Sequence, residues 1–193
     1  TGKNTPLEHL NRFYKPFGEV KGRKFDGMIV TGAPVETIDF EEVKYWPELE
    51  EIFEFARKNV TSTIFICWGA QAALYHYYGV RKRLLGKKLF GVYKAVDKLD
   101  LLASSVEAGG AIIYSMDNRF LFITGHAEYD RETLLYEYER DVAKGMDIAK
   151  PDNYFGENGK INMSWASTAN LLYVNWLNYY VYQITPFQLD KVK

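Results

Sequence analysis

From Thr61-Ser62-Thr63-Ile64-Phe65-Ile66 the chain is β-branched and aromatic, and at its only cysteine it changes to the small-residue run Cys67-Trp68-Gly69-Ala70-Gln71-Ala72-Ala73-Leu74. The change of pattern predicts a buried strand, a sharp turn and a helix that starts at the thiol. At such a turn the unpaired amide N–H groups of the first helical turn favour an anion, and an adjacent base can take the thiol proton. A lone cysteine at a strand end is, more commonly, a small core residue. The chemistry therefore has to be decided by what lies elsewhere in the chain.

Upstream, Phe25-Asp26-Gly27-Met28-Ile29-Val30 reads as a buried strand that runs into the tight loop Thr31-Gly32-Ala33-Pro34. Gly32 frees the backbone to turn and Pro34 cannot continue a ladder. Pro47 to Asn59 is a helix, with Leu49, Ile52, Phe53 and Ala56 on one face and Glu48, Glu50 and Glu51 near its start. Strand, helix and strand in this order form a βαβ unit with parallel pairing. The expected fold class is α/β, a mostly parallel sheet flanked by helices. Active sites of such sheets lie at the carboxyl ends of the strands, which makes the Thr31–Pro34 loop and Cys67 neighbours.

The remaining segments are read in the same way. Thr1 to Lys24 holds one amphipathic helix, with Pro6 in its first turn and Leu7, Leu10, Phe13, Tyr14 and Phe17 as its stripe. The helix after Cys67 stops at Gly79, and Arg81 to Lys88 is a basic loop. Leu101–Ser105, Ala111–Tyr114 and Phe120–Thr124 are strands, the last two joined through Asp117 and Asn118. A helix over Asp130 to Lys144 carries Leu134, Leu135, Tyr138 and Val142, and a last helix spans Ser164 to Tyr182, with Pro186 closing it.

Composition narrows the function classes. With 193 residues, 47% hydrophobic and 25% charged, one domain over the whole chain is expected. The net charge of −1 comes from interspersed charges, which argues against a nucleic-acid partner or an acidic membrane surface. One cysteine excludes an intrachain disulfide, and three scattered histidines lack metal-ligand spacing. No secretory signal opens the chain, and the apolar stretch Leu171 to Ile184 is too short to span a bilayer and is interrupted by Asn175, Asn178 and Gln183. A reducing, cytoplasmic setting is the expectation.

Three strand ends thus converge: the Thr31–Pro34 loop, Cys67-Trp68 and His126-Ala127-Glu128. A thiol, an imidazole and a carboxylate are the parts of a nucleophilic acyl-transfer site. The i, i+2 spacing of His126 and Glu128 puts both on one side of an extended segment. The backbone N–H groups of Trp68 and Ala33 are placed to form an oxyanion hole. Taken singly, His126 also reads as an exposed loop histidine and Glu128 as a carboxylate near a helix start.

At these residues the chain resembles the homoserine O-acyltransferases, acetyl- and succinyl-transferring enzymes of methionine biosynthesis built on the class I glutamine-amidotransferase (flavodoxin-like) fold. The resemblance is carried by Asn4 to Leu10, Phe25 to Pro34, Asp39 to Trp46, Val60 to Ala73, Thr124 to Asp130 and Asn175 to Gln183. It implies that Cys67 is the acyl-thioester nucleophile, His126 the general base and Glu128 the third catalytic residue. Lys88 matches a substrate-binding lysine, and Arg140 an arginine that holds the homoserine carboxylate. From the residues alone, Lys88 beside Lys87 reads as a solvated loop, and Arg140, opposite its helix's apolar stripe, as a solvated or cleft-facing charge.

Glu36 stands where the family selects its acyl donor: glycine there resembles the succinyl enzymes, glutamate the acetyl enzymes. A carboxylate in the acyl pocket fills space and repels the free carboxylate of a succinyl group. A solvated loop glutamate is the alternative. The implied substrates are L-homoserine and an acyl-CoA, acetyl-CoA ahead of succinyl-CoA, with no bound cofactor; a homodimer is a family expectation. The chain departs from the family in beginning after the usual first βα unit and in having only Lys94 to Asp100 where a long segment with a His-Ser-Arg stretch stands. It also has Trp165-Ala166-Ser167-Thr168 in place of Trp-Arg-Ser-His, and Ala127 for a frequent proline. Two rival readings are glutamine hydrolysis at the same three residues and a non-catalytic, metabolite-binding relative.

Overall fold

A computed structural model describes residues 7–82, 99–105, 109–115, 117 and 119–186. Its centre is the expected βαβ unit. Strand β1 (Phe25–Val30) leads through a 3-10 turn at Phe40–Glu42 into a helix over Trp46–Asn59, and from there into strand β2 (Val60–Ile66). β1 and β2 pair in parallel, with Phe25 opposite Val60 and Val30 opposite Phe65. β3 (Leu99–Ser105), β4 (Gly109–Ser115) and β5 (Phe120–Ile123) complete a five-stranded sheet in the order β1-β2-β5-β4-β3. β5 is parallel to β2, and β4 is antiparallel to both β5 and β3. β4 alone runs against the other four, so the sheet is mixed but mostly parallel, as expected.

Both faces of β2 are covered, which explains why the strand is buried almost throughout, its polar Ser62 and Thr63 included. On one face lie the Trp46–Asn59 helix and the helix over Trp68–Tyr78. Phe53 meets Phe65 edge-on at 5.8 Å, Phe65 stacks on Phe122 at 5.3 Å, and Tyr77 stacks on Phe120 at 4.7 Å. Ala70, Ala72 and Ala73 let the second helix sit close against this layer. On the other face Ile64, Ile66, Leu121 and Ile123 pack against Trp176 and Val181. The Trp176 indole N–H donates to Ser62 Oγ at 2.9 Å in the buried layer, so the C-terminal helix is bonded to the centre of the sheet.

Three segments differ from the sequence expectation. The amphipathic helix expected over Thr1 to Lys24 is two short helices among the described residues, α1 (Leu7–Phe13) and α2 (Phe17–Val20), and Pro6 lies outside those residues. Pro16 separates them, because a proline disfavours helical geometry in the residue before it. Phe13 and Tyr14 of the supposed stripe are exposed, and Phe17 packs edge-on to Phe55 at 5.4 Å instead. With the two long helices numbered α3 (Trp46–Asn59) and α4 (Trp68–Tyr78), the next is α5 (Thr133–Ala143), which starts three residues later than expected. Its buried residue is Asp141, held by Arg140 Nε at 2.8 Å, while Val142 is exposed. The last helix is α-helical only over α6 (Ala166–Asn175) and continues as a π-helix over Trp176–Tyr182. The wider π turn brings residues five apart onto one face, so that Trp176 and Val181 both seat on the sheet. Both reach Gly27 of β1, where any Cβ would stand 3.1 Å from the Trp176 ring and 3.2 Å from Val181.

Candidate active site

The strand register decides which loops meet. Ile66 is opposite Ile123, and one residue further the Cys67 N–H donates to the Ile123 carbonyl at 2.7 Å. The loop after β5 therefore leaves beside Cys67. On the other side β1 is in register up to Val30 against Phe65, which carries Thr31 and Gly32 to the same edge.

Cys67 itself has φ 53° and ψ −124°, a conformation that residues with a Cβ rarely adopt. Its carbonyl accepts the N–H groups of Ala70 at 3.0 Å and Gln71 at 3.2 Å, which starts α4 at once. The thiol is half-buried at the head of the helix, where first-turn amides favour negative charge. Two glycines make the close packing possible. A Cβ on Gly69 would lie 2.7 Å from the Thr31 carbonyl oxygen and 3.0 Å from that of Val30. A Cβ on Gly32 would lie 3.0 Å from the Trp68 backbone nitrogen and 3.4 Å from Cys67 Sγ. Gly32 thus leaves open the space above the thiol and the Trp68 amide, the place a reacting carbonyl needs.

His126 Nδ1 lies 2.7 Å from Glu128 Oε1, across a turn rather than along the extended segment expected. Burial would lower the His126 pKa, but hydrogen bonding and charge attraction from Cys67 and Glu128 outweigh it and push it up to about 10. The ring is thus an imidazolium at neutral pH. A pH titration of the His126 ring by NMR is expected to centre near 10 rather than 6.5. It should move down when Cys67 is capped by neutral carbamidomethylation, and down again in Glu128→Gln. Since the folded value exceeds the unfolded one, this contribution to stability is fully present below about pH 6.5 and is lost as pH rises through about 10.

Several side chains that hold this site were not found from the sequence. Tyr129 stacks on His126 with ring centroids 4.2 Å apart and planes 21° apart, and its hydroxyl donates to Glu137 Oε1 at 3.0 Å. The Trp165 indole donates to the Tyr129 carbonyl at 3.2 Å. Tyr154 stacks on Trp165, donates to the Arg131 carbonyl and accepts the Leu135 N–H at 3.3 Å. These contacts fix the His126–Arg131 turn and the start of α5. The Tyr173 hydroxyl is buried without a hydrogen-bond partner among the described residues, and burial, with the nearby Glu128 charge, pushes it up to about 12. The only sequence signal was an aromatic directly after Glu128 and a tryptophan ahead of the last helix.

Of the other candidates, Arg140 lies one turn after Glu137 on α5 with a half-exposed side chain, and Asp141 engages its Nε. Glu36 is half-buried in the loop after Pro34, and its carbonyl accepts from Lys82 Nζ at 2.9 Å. Ala33 adjoins Gly32 at the Trp68 amide, and its carbonyl accepts the Val35 N–H at 2.8 Å. Lys88 lies outside the described residues. No helix among the described residues is long and apolar enough to cross a membrane.

A family model described as homoserine O-succinyltransferase matches residues 1–98 and 94–187. The chain belongs to this family. Within the homoserine O-succinyltransferase family, the protein of Acetivibrio thermocellus named homoserine O-acetyltransferase is 46% identical over 228 aligned residues, covering 99% of this chain and 75% of its own length. Those named alike from Bacillus licheniformis and Bacillus subtilis are 46% and 45% identical, and the alignments cover 97% and 98% of this chain and 74% and 75% of theirs. The aligned length of 228 exceeds the 193 residues of the chain, so these family members carry residues that this one lacks. The two matched stretches of the family model overlap at 94–98.

Proposed function

We propose that this protein transfers an acetyl group from acetyl-CoA to the hydroxyl of L-homoserine through a thioester on Cys67. The observation that carries the reading is the convergence of Cys67, His126 and Glu128 on one sheet edge, with His126 and Glu128 2.7 Å apart and Gly32 leaving the thiol open. The names of the relatives support homoserine as acceptor and acetyl as the group moved.

In the first half-reaction the Cys67 thiolate attacks the thioester carbonyl of acetyl-CoA. The developing oxyanion is met by the N–H groups of Trp68 and Ala33. The tetrahedral intermediate collapses with cleavage of the bond to the CoA sulfur, and the His126 imidazolium gives its proton to that sulfur. Acylation also removes the negative charge on Cys67. One of the influences that raises His126 is thereby lost, and the neutral ring becomes a base of more ordinary strength. In the second half-reaction it takes the proton of the homoserine hydroxyl as that oxygen attacks the acetyl-enzyme, and Cys67 leaves as thiolate. Glu128 holds the ring through Nδ1 in both halves, Arg140 and Lys88 position the amino acid, and Glu36 disfavours a succinyl donor. The whole chain acts as a single domain, and the substrates are small molecules.

The reading is tested by following products from homoserine with each donor. O-acetylhomoserine from acetyl-CoA at a much higher kcat/KM than O-succinylhomoserine from succinyl-CoA is the expected result. The reverse preference, in keeping with the family description, would keep the mechanism and overturn the role of Glu36. Ammonia from glutamine, with neither ester formed, would replace the function by amide hydrolysis.

A further inference from the structure

We propose that Lys82 sets the donor preference of this site by strapping the Glu36 loop to the end of α4. The inference rests on the role proposed above for Glu36 and concerns a residue outside the catalytic group. Between Gly32, which is packed on Cys67, and Ile38, two residues short of Phe40, which is buried under α4, the chain makes only two short-range backbone bonds among the described residues. These are Val35 N–H to the Ala33 carbonyl at 2.8 Å and Ile38 N–H to the Val35 carbonyl at 3.1 Å. Neither ties the loop to another element.

Lys82, four residues beyond α4, does. Its ammonium donates to the Glu36 carbonyl at 2.9 Å and to the Ile38 carbonyl, and it sits over the Phe40 ring at 4.6 Å. Phe40 is itself stacked on Tyr75 of α4 at 4.8 Å and lies 5.8 Å from Trp68. Burial lowers the Lys82 pKa, and the negative charges of Asp39, Glu36 and Glu41 act against that and favour the ammonium. The same helix that presents Cys67 therefore fixes, through Lys82, the backbone from which the Glu36 carboxylate projects. Charge-assisted donation to two carbonyls and a cation over an aromatic ring make this a stiff connection. A repelling carboxylate discriminates only while it cannot move aside, so loop stiffness and donor choice are one property here.

The test is acylation of the full chain, compared for acetyl-CoA and succinyl-CoA in the wild type, Lys82→Met, Lys82→Arg and Glu36→Gly. Methionine keeps the length and the packing on Phe40 but loses donors and charge; arginine keeps both. The ratio of acylation kcat/KM for acetyl over succinyl is expected to fall at least about tenfold in Lys82→Met, which loses both charge-assisted hydrogen bonds. Lys82→Arg should restore most of it, and Glu36→Gly should lower it at least as far. General damage would slow both donors alike and leave the ratio unmoved. A wild-type ratio in Lys82→Met beside a lowered ratio in Glu36→Gly overturns the strap and leaves the Glu36 reading intact. An unmoved ratio in Glu36→Gly overturns both. If Lys82→Met does not fold, Lys82→Gln, which keeps a neutral amide donor without the charge, is read against the same two outcomes.

Discussion

Replacing Cys67 by glycine is expected to abolish acyl transfer and to leave a more stable protein than replacing it by alanine does. The activity loss should reach about 10⁴-fold or more, as for removal of a nucleophile from a triad that acts as a unit. The stability gain follows from the backbone. At φ 53° and ψ −124° a residue with a Cβ stores about 1–3 kcal/mol of strain, which glycine does not. Against this stands about 0.5–1 kcal/mol for glycine's greater freedom in the unfolded chain. Cys67→Ala separates the two effects, since it removes the sulfur and keeps the strain. Denaturant unfolding should therefore rank Cys67→Gly above Cys67→Ala, with both inactive. The opposite ranking would mean that the turn at Cys67 is not strained, and that its geometry serves packing rather than presentation of a nucleophile.

Gly69→Ala is expected to damage stability and activity together. The added methyl would meet the Thr31 carbonyl oxygen at 2.7 Å and the Val30 carbonyl oxygen at 3.0 Å, both backbone atoms that no rotamer change relieves. Overpacking of this kind costs about 1–3 kcal/mol, and a rigid contact on two sides places this one near the upper end. The relief available is to push the head of α4 away from the end of β1. That moves Cys67 and the Trp68 amide relative to His126, and misplacement by about 1 Å can cost 10²-fold in rate. Turnover should thus fall by about 10²-fold even where the protein remains folded. Gly125→Ala is the control, because nothing stands within 4 Å of its Cβ and its φ lies outside the left-handed region. Equal behaviour of the two variants would show that the approach of α4 to β1 is not needed for the site.

The parts of the fold that were legible are those in which local pattern and tertiary role agree. β2 is β-branched and aromatic at its carboxyl end and buried on both faces because both faces are covered, and α3 carries Leu49, Phe53 and Ala56 at helical spacing because one face is. The convergence of the Thr31 loop, Cys67 and His126 followed from parallel pairing alone. What failed depended on contacts across the chain. Asp141 is buried on α5 with Arg140 and Lys144 as cationic partners, which an apolar stripe cannot announce. The π-helix at Trp176–Tyr182 is selected by the seating of two side chains over Gly27. Tyr129, Trp165 and Tyr154 hold His126 by stacking and by bonds to backbone carbonyls, and such roles leave no spacing to read. Lys82 escaped for the same reason, since its acceptors are main-chain oxygens more than forty residues upstream.

Intact-protein mass spectrometry after mixing the chain with acetyl-CoA, without and then with homoserine, tests the proposed chemistry most directly. One acetyl group per chain is predicted, absent in Cys67→Ala and lost on addition of homoserine as O-acetylhomoserine appears. An acetyl group that persists in Cys67→Ala, or a folded wild-type chain that takes up neither acetyl nor succinyl, would contradict it.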